Sequence, residues 1–176
     1  TFPAVLDTDG SVAERYRVVG FIARGGLGEV YEAEDRELGG RVALKTVRLD
    51  AAGDPDAIER FKREIQLARQ VTHPNVSRIF DLSRHVRTGS GEAGADVLFL
   101  TMELLPGQTL AERLQHRGRL PTREALPILE QVVAGLAAAH HVGVVHRDFK
   151  SSNVMLVPLG TATPVRNQPD AATPGS

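Results

Sequence analysis

Three runs of alternating residues, separated by two glycine turns, fill residues 15–49, and no other stretch limits the fold as much. RYRVVGFI (15–22) is rich in β-branched residues. VYEAEDRE (30–37) sets Val30, Glu32 and Glu34 against Tyr31 and Ala33, and RVALKTVRL (41–49) sets Val42, Leu44 and Thr46 against Ala43, Lys45 and Val47. A period of two puts alternate side chains on opposite faces of a strand. ARGGLGEV (23–30) and Gly39-Gly40 supply the turns. The stretch predicts three antiparallel strands in sequence order.

A helix is expected next. Asp54 suits its N-cap and Pro55 its first position, and Phe61, Ile65 and Ala68 recur at helical spacing beside Glu64. HPNVSRIFDL (73–82) and DVLFLTMELL (96–105) read as two more strands, joined by a loop holding Gly89, Gly91 and Gly94. After Pro106-Gly107 the period changes. Thr109 and Glu112 form a capping box that opens a short helix, closed by Gly118. Thr122 starts a longer helical stretch to about His141, in which Pro127 predicts an irregular first turn or a later start. VGVVHRDFKSSNVMLV (142–157) reads as strand, polar loop and strand. Residues 1–13 read as a loose lead-in and residues 167–176 as a disordered tail. The order predicts an α+β fold in two lobes: a five-stranded antiparallel sheet with one helix over 14–105, then a mainly helical part over 106–166.

Composition narrows the partners. Lys plus Arg number 21 against 22 Asp plus Glu, so a net charge of −1 gives no bulk attraction to nucleic acid or anionic membrane. The absence of cysteine excludes disulfides and thiolate metal sites. No apolar run is long enough for a membrane span, and no signal peptide is visible. A cytoplasmic chain with no membrane segment and no nucleic-acid partner is expected. Its first residue, Thr1, suggests a piece of a longer chain.

The chemistry concentrates in HRDFKSSNV (146–154). Asp148 suits accepting a proton from a hydroxyl nucleophile, Lys150 neutralising a transferring phosphoryl group, and Asn153 offering an amide oxygen to magnesium, a hard cation. Arg147 suits pairing with a phosphorylated residue, and His146 reads as a structural residue. Upstream, Gly25, Gly26 and Gly28 let bare backbone N–H groups approach phosphate oxygens, though an ordinary hairpin needs the same glycines. Ala23 replaces the first glycine of G-x-G-x-x-G and a strand follows, which excludes a dinucleotide-binding turn. Lys45 shares a face with Ala43 and Val47, so its ammonium must reach solvent or an anion. Glu64 is a candidate partner, although by themselves the two read as surface charges.

The ordered set IARGGLGEV, VALK, FKREI, HPNV, MELLPG and HRDFKSSN resembles the bacterial eukaryotic-like serine/threonine protein kinase family over roughly residues 14–166. The resemblance implies a protein-kinase-like bilobal fold with a truncated C-lobe, ATP and Mg2+ as cofactors, and a protein substrate presenting Ser or Thr. It places Ala23, Gly25 and Gly28 over the phosphates, with Ile22 and Gly26 in the same nucleotide site. Lys45 would contact phosphates and pair with Glu64. Val30 and Ala43 would pack above the adenine and Met155 below it. Met102 resembles the gatekeeper, with Glu103 and Leu105 offering backbone hydrogen bonds. Asp148 would be the base, Lys150 the charge stabiliser and Asn153 a metal ligand. Lysine two residues after the aspartate is typical of serine/threonine kinases, and Phe149 and Ser151 replace the usual leucine and proline.

After Asn153 the one acidic residue is Asp170, so the family's Asp-Phe-Gly, activation segment and Ala-Pro-Glu element are not found. The chain is therefore expected to be a truncated kinase domain, inactive alone, with apolar faces of the 122–141 helix uncovered. Two alternatives stand beside it: a kinase-like module that binds nucleotide or a partner without catalysis, and a small-molecule phosphotransferase of the same fold. Arg147, Lys150 and HPNV favour protein substrates over the latter.

Overall fold

The two glycine turns and the period-two runs fold into a meander. The structure, a computed structural model, describes residues 6, 10–25, 28–47, 55–86 and 97–160, with side chains of the first helix from residue 58. Asp54, Gly26, the glycines of the 87–96 loop, Asp170 and the 167–176 tail lie outside the described residues. The elements are β1 (Ser11–Val12), β2 (Tyr16–Gly25), β3 (Gly28–Asp35), β4 (Arg41–Val47), α1 (Pro55–Ala68), β5 (Ile79–His85), β6 (Val97–Glu103), β7 (Gln108–Thr109), α2 (Leu110–Arg117), α3 (Thr122–His141) and β8 (Met155–Leu156). A 3-10 turn at Ser151–Asn153 precedes β8.

The main sheet has six strands rather than the expected five, in the order β1-β2-β3-β4-β6-β5. The extra strand comes from the end of the lead-in; Val12 and Leu6 are buried, and the Leu6 N–H donates to the Tyr31 hydroxyl at 3.2 Å. Two strand residues are too few to show a period. One face of the sheet is the core, where Val18, Tyr31, Ala33, Leu44 and Phe99 are 0% exposed. Each large side chain buried in this way contributes roughly 1.5–3 kcal/mol. The β3–β4 hairpin is tied by Asp35, whose carboxylate accepts from Arg15 Nε at 3.0 Å and Nη2 at 2.6 Å and from the N–H groups of Glu37 and Leu38.

The structure corrects three other expectations. β5 starts at Ile79, because Pro74 lacks an N–H and Asn75 favours a turn. There the N–H of Val76 donates to the His73 carbonyl at 3.0 Å and that of Asn75 to His73 Nδ1 at 3.1 Å. α3 runs from Thr122 with Pro127 inside it, because so near the helix start the proline leaves only the Arg123 carbonyl without its helical partner. The run after His141 is a helix cap rather than a strand. Gly143 takes φ 81°, its N–H bonds the His140 carbonyl at 2.9 Å, and the Val144 N–H bonds that of Ala139 at 3.0 Å. This double return is the Schellman geometry, which consumed the apolar residues read as a strand.

The capping box holds as expected. The Glu112 N–H donates to Thr109 Oγ1 at 3.1 Å, the Thr109 N–H to Glu112 Oε2 at 2.7 Å, and Gly118 ends α2 at φ 70°. β7 pairs antiparallel with β8, which fastens the segment after Asn153 to the start of α2. α3 leaves Leu126, Leu129 and Val133 exposed. No described helix is long and apolar enough to cross a membrane.

Candidate active site

Strand register decides which side chains share the face opposite the core. Ala23 pairs with Val30, Val30 with Lys45, Lys45 with Leu100, and Ala43 with both Glu32 and Met102. Cross-strand partners in an antiparallel sheet point to the same side. Ala23, Val30, Glu32, Ala43, Lys45, Leu100 and Met102 therefore share one face, with Lys45 set between Val30 and Leu100. Glu103 closes that edge. Its N–H donates to the Arg78 carbonyl at 2.9 Å. Leu105 follows as partly buried irregular chain, and Ile22 lies exposed on β2.

The second arm of the glycine turn is fixed against β4. Gly28 has φ 145°, and a Cβ there would stand 1.9 Å from the Thr46 carbonyl oxygen, so no side chain fits. The next residue, Glu29, donates its N–H to Thr46 Oγ1 at 2.9 Å.

The loop after α3 supplies the opposing groups. Arg147 sits at φ 58°, a left-handed conformation that bulky residues seldom adopt, and the Asp148 N–H closes a tight turn onto the His146 carbonyl at 2.6 Å. His146 meets the Phe149 ring edge-on, with centroids 5.6 Å apart. Asp148 pairs with Lys150 (Oδ2 to Nζ 2.8 Å), and Asn153 Nδ2 donates to the Asp148 carbonyl at 2.8 Å. Hydrogen bonding from Lys150 holds the Asp148 carboxyl below the usual aspartate range. Burial lowers the Lys45 ammonium below the usual lysine range, with smaller influences from Asp148, which raises it, and Lys150, which lowers it.

The expected Lys45–Glu64 pair is replaced. Glu64 Oε1 accepts instead from Arg147 Nη1 at 2.7 Å, and both side chains are more than half exposed. A partner 83 residues away in sequence is invisible to local pattern. A groove of about 410 Å³ between α1 and β5–β6, lined by Lys62, Ile65, Arg69, Leu82 and Arg84 among others, contains none of these site residues.

The description of the protein kinase domain matches residues 16–163. This chain belongs to the protein kinase family. It is 39% identical over 150 residues to the serine/threonine-protein kinase PknA of Mycobacterium tuberculosis, covering 85% of this chain and 34% of that one. It is 40% identical over 149 residues to the serine/threonine-protein kinase PrkC of Bacillus subtilis, covering 85% and 22%. Among solved structures, a double mutant of the Mycobacterium tuberculosis PknI kinase domain superposes with a TM-score of 0.75 at 27% identity, covering 88% of this chain and 60% of that one. The chain thus spans about a third or less of these two curated relatives and three-fifths of the matched kinase structure. The bilobal α+β kinase fold read from the motifs is the fold observed, with its sixth strand added.

Within this kinase fold Lys45 stands on the sheet, with Asp148, Lys150 and Asn153 gathered on the loop. Met155 begins β8 just beyond them and is partly buried. Sequence reading passed over Arg24, Glu29 and Thr46. The signal was available: Glu29 shares its strand parity with Tyr31 and Ala33, and a carboxylate at a buried parity requires a partner.

Proposed function

We propose that this chain is the nucleotide-binding and catalytic-loop part of a cytoplasmic serine/threonine protein kinase, which moves the γ-phosphoryl group of Mg-ATP to a Ser or Thr hydroxyl of a protein. The placement of Lys45 on the sheet face with Val30 and Ala43, and of Asp148, Lys150 and Asn153 together on the loop after α3, carries this reading. It offers an ammonium for phosphate oxygens and a carboxylate that stays ionised at neutral pH and can take the hydroxyl proton. Lys150 would offset charge on the moving phosphoryl group, and the amides of Gly25 and Gly28 would approach the phosphates where side chains cannot. The apolar face of Val30, Ala43 and Met102 suits a purine ring, with Met155 closing from the other side and Glu103 and Leu105 offering backbone groups.

Magnesium, when bound, would neutralise charge on the phosphates. Asn153 fits as a ligand through its amide oxygen, since its nitrogen already donates to Asp148. Among the described residues no three His, Cys, Asp or Glu side chains gather as a metal cluster.

Calorimetric titration tests the nucleotide site. Mg-ATP is expected to bind, with Lys45→Met lowering affinity at least about tenfold, a loss suited to a desolvated charge pair; equal affinity in both would sink the assignment. The 176-residue chain alone is expected to transfer no phosphate. Incorporation of labelled phosphate into a protein substrate, lost in Asp148→Asn, would refute that part while supporting the kinase chemistry.

A further inference from the structure

Glu29 is a carboxylate on the core side of β3, 3% exposed, and none of the roles above uses it. It accepts from Arg24 Nε at 2.7 Å and from the Tyr31 hydroxyl. Arg24 and Glu29 are cross-strand partners immediately behind the Gly25–Gly28 pair, so their ion pair sits at the base of the glycine turn.

The two arms of that turn are anchored unequally. The Gly28 arm is locked to β4 by the Glu29 N–H to Thr46 bond and by the lack of room for a Cβ. The Phe21–Gly25 arm is exposed along its whole length, and its ladder to β3 is irregular between Val18 and Gly20 and again between Phe21 and Ala23. An interrupted ladder holds a strand end weakly. A side-chain tie whose carboxylate is buried holds it more firmly, because separating the pair would leave that charge uncompensated.

We propose that the Arg24–Glu29 ion pair, oriented by Tyr31, latches the exposed arm of the glycine turn to the anchored arm, so that Arg24 and Glu29 are positioning residues for the phosphates of the nucleotide. The latch rests on the ATP reading of the turn only for its phosphate role; the tie between the arms does not depend on it.

The test uses the 176-residue chain, with Arg24→Ala, Arg24→Lys and Glu29→Gln, the last keeping an acceptor for Tyr31 but losing the charge. Amide hydrogen exchange over residues 22–30 reads the latch, and affinities for Mg-ATP and for adenosine read its purpose. Arg24→Ala and Glu29→Gln are expected to speed exchange in the turn and to weaken Mg-ATP roughly threefold to tenfold, the range for a partly buried pair. Adenosine, which has no phosphates, should bind as before, and Arg24→Lys should recover most of the loss. Unchanged exchange overturns the latch whatever the nucleotide does. Faster exchange with unchanged Mg-ATP affinity, or an equal loss for adenosine, overturns the positioning role. Failure of the unaltered chain to bind Mg-ATP would overturn the nucleotide reading and the phosphate role with it, while the exchange rates still decide the latch.

Discussion

The sheet and the long helix α3 place their apolar residues in opposite ways. Every buried apolar side chain larger than glycine among the described residues lies between Leu6 and Leu100, whereas Leu126, Leu129 and Val133 on α3 are 53%, 56% and 64% exposed. The groups proposed to hold nucleotide stand on the far side of a packed core, so their spacing is over-determined by side chains that cannot move independently. Asp148 and Lys150 are each about half exposed (52% and 54%), and polar contacts hold their loop. The difference teaches that binding geometry and transfer geometry have separate supports, so damage to one need not damage the other.

The sharpest way to break this contrast is Tyr31→Ala. It empties a fully buried site beside Phe21 and removes a hydrogen bond to Glu29, and should cost about 3–5 kcal/mol in denaturant unfolding. A cost near that of a surface change would mean the sheet core is not what holds the molecule. Next comes Gly28→Ala, whose methyl would collide with the Thr46 carbonyl at a positive φ; about 2–3 kcal/mol is expected, with faster exchange at the Thr46 amide as the local readout.

Asp35→Asn should follow at about 1–3 kcal/mol near neutral pH, since it replaces a bidentate ion pair. The Arg15 hydrogen bond holds the Asp35 carboxyl below the usual aspartate range. A depressed carboxyl stabilises the fold above its unfolded value, near 3.9, and that contribution disappears as pH falls through the lower folded value. The gap between Asp35→Asn and the unaltered chain should therefore close in acid; a gap independent of pH would assign the effect to packing instead. The smallest effect belongs to α3. Leu129→Ser should change stability by less than about 0.5 kcal/mol while reducing self-association seen by light scattering. A large loss would show that this face is covered in solution.

Much of this was legible in sequence because it is periodic or punctuated. Alternation over 15–49 gave the register that sets Val30, Ala43 and Lys45 on one face, and Thr109 with Glu112 announced its capping box. What escaped depends on partners remote in sequence or on elements too short for a period. Ser11–Val12 becomes a strand only because Arg17 and Tyr16 are beside it. The Val144 run looked like a strand until Gly143 turned it into a cap. Glu64 carries the motif's carboxylate, yet only the folded arrangement shows it facing Arg147.

Gly135 gives this arrangement a mechanical consequence. A Cβ at that position of α3 would lie 2.8 Å from the Asn75 carbonyl oxygen and 3.3 Å from Val76 Cγ2, and Asn75 Nδ2 donates to Gln131 Oε1 at 3.1 Å beside it. The turn it touches joins the end of α1 to the start of β5, so the connection between the helix that carries Glu64 and the sheet meets α3 at Gly135, through the Asn75 carbonyl and the Asn75–Gln131 hydrogen bond. Backbone has no rotamers with which to absorb a displacement. A methyl group at 135 would act as a shim, prising α3 away from the Asn75 carbonyl oxygen.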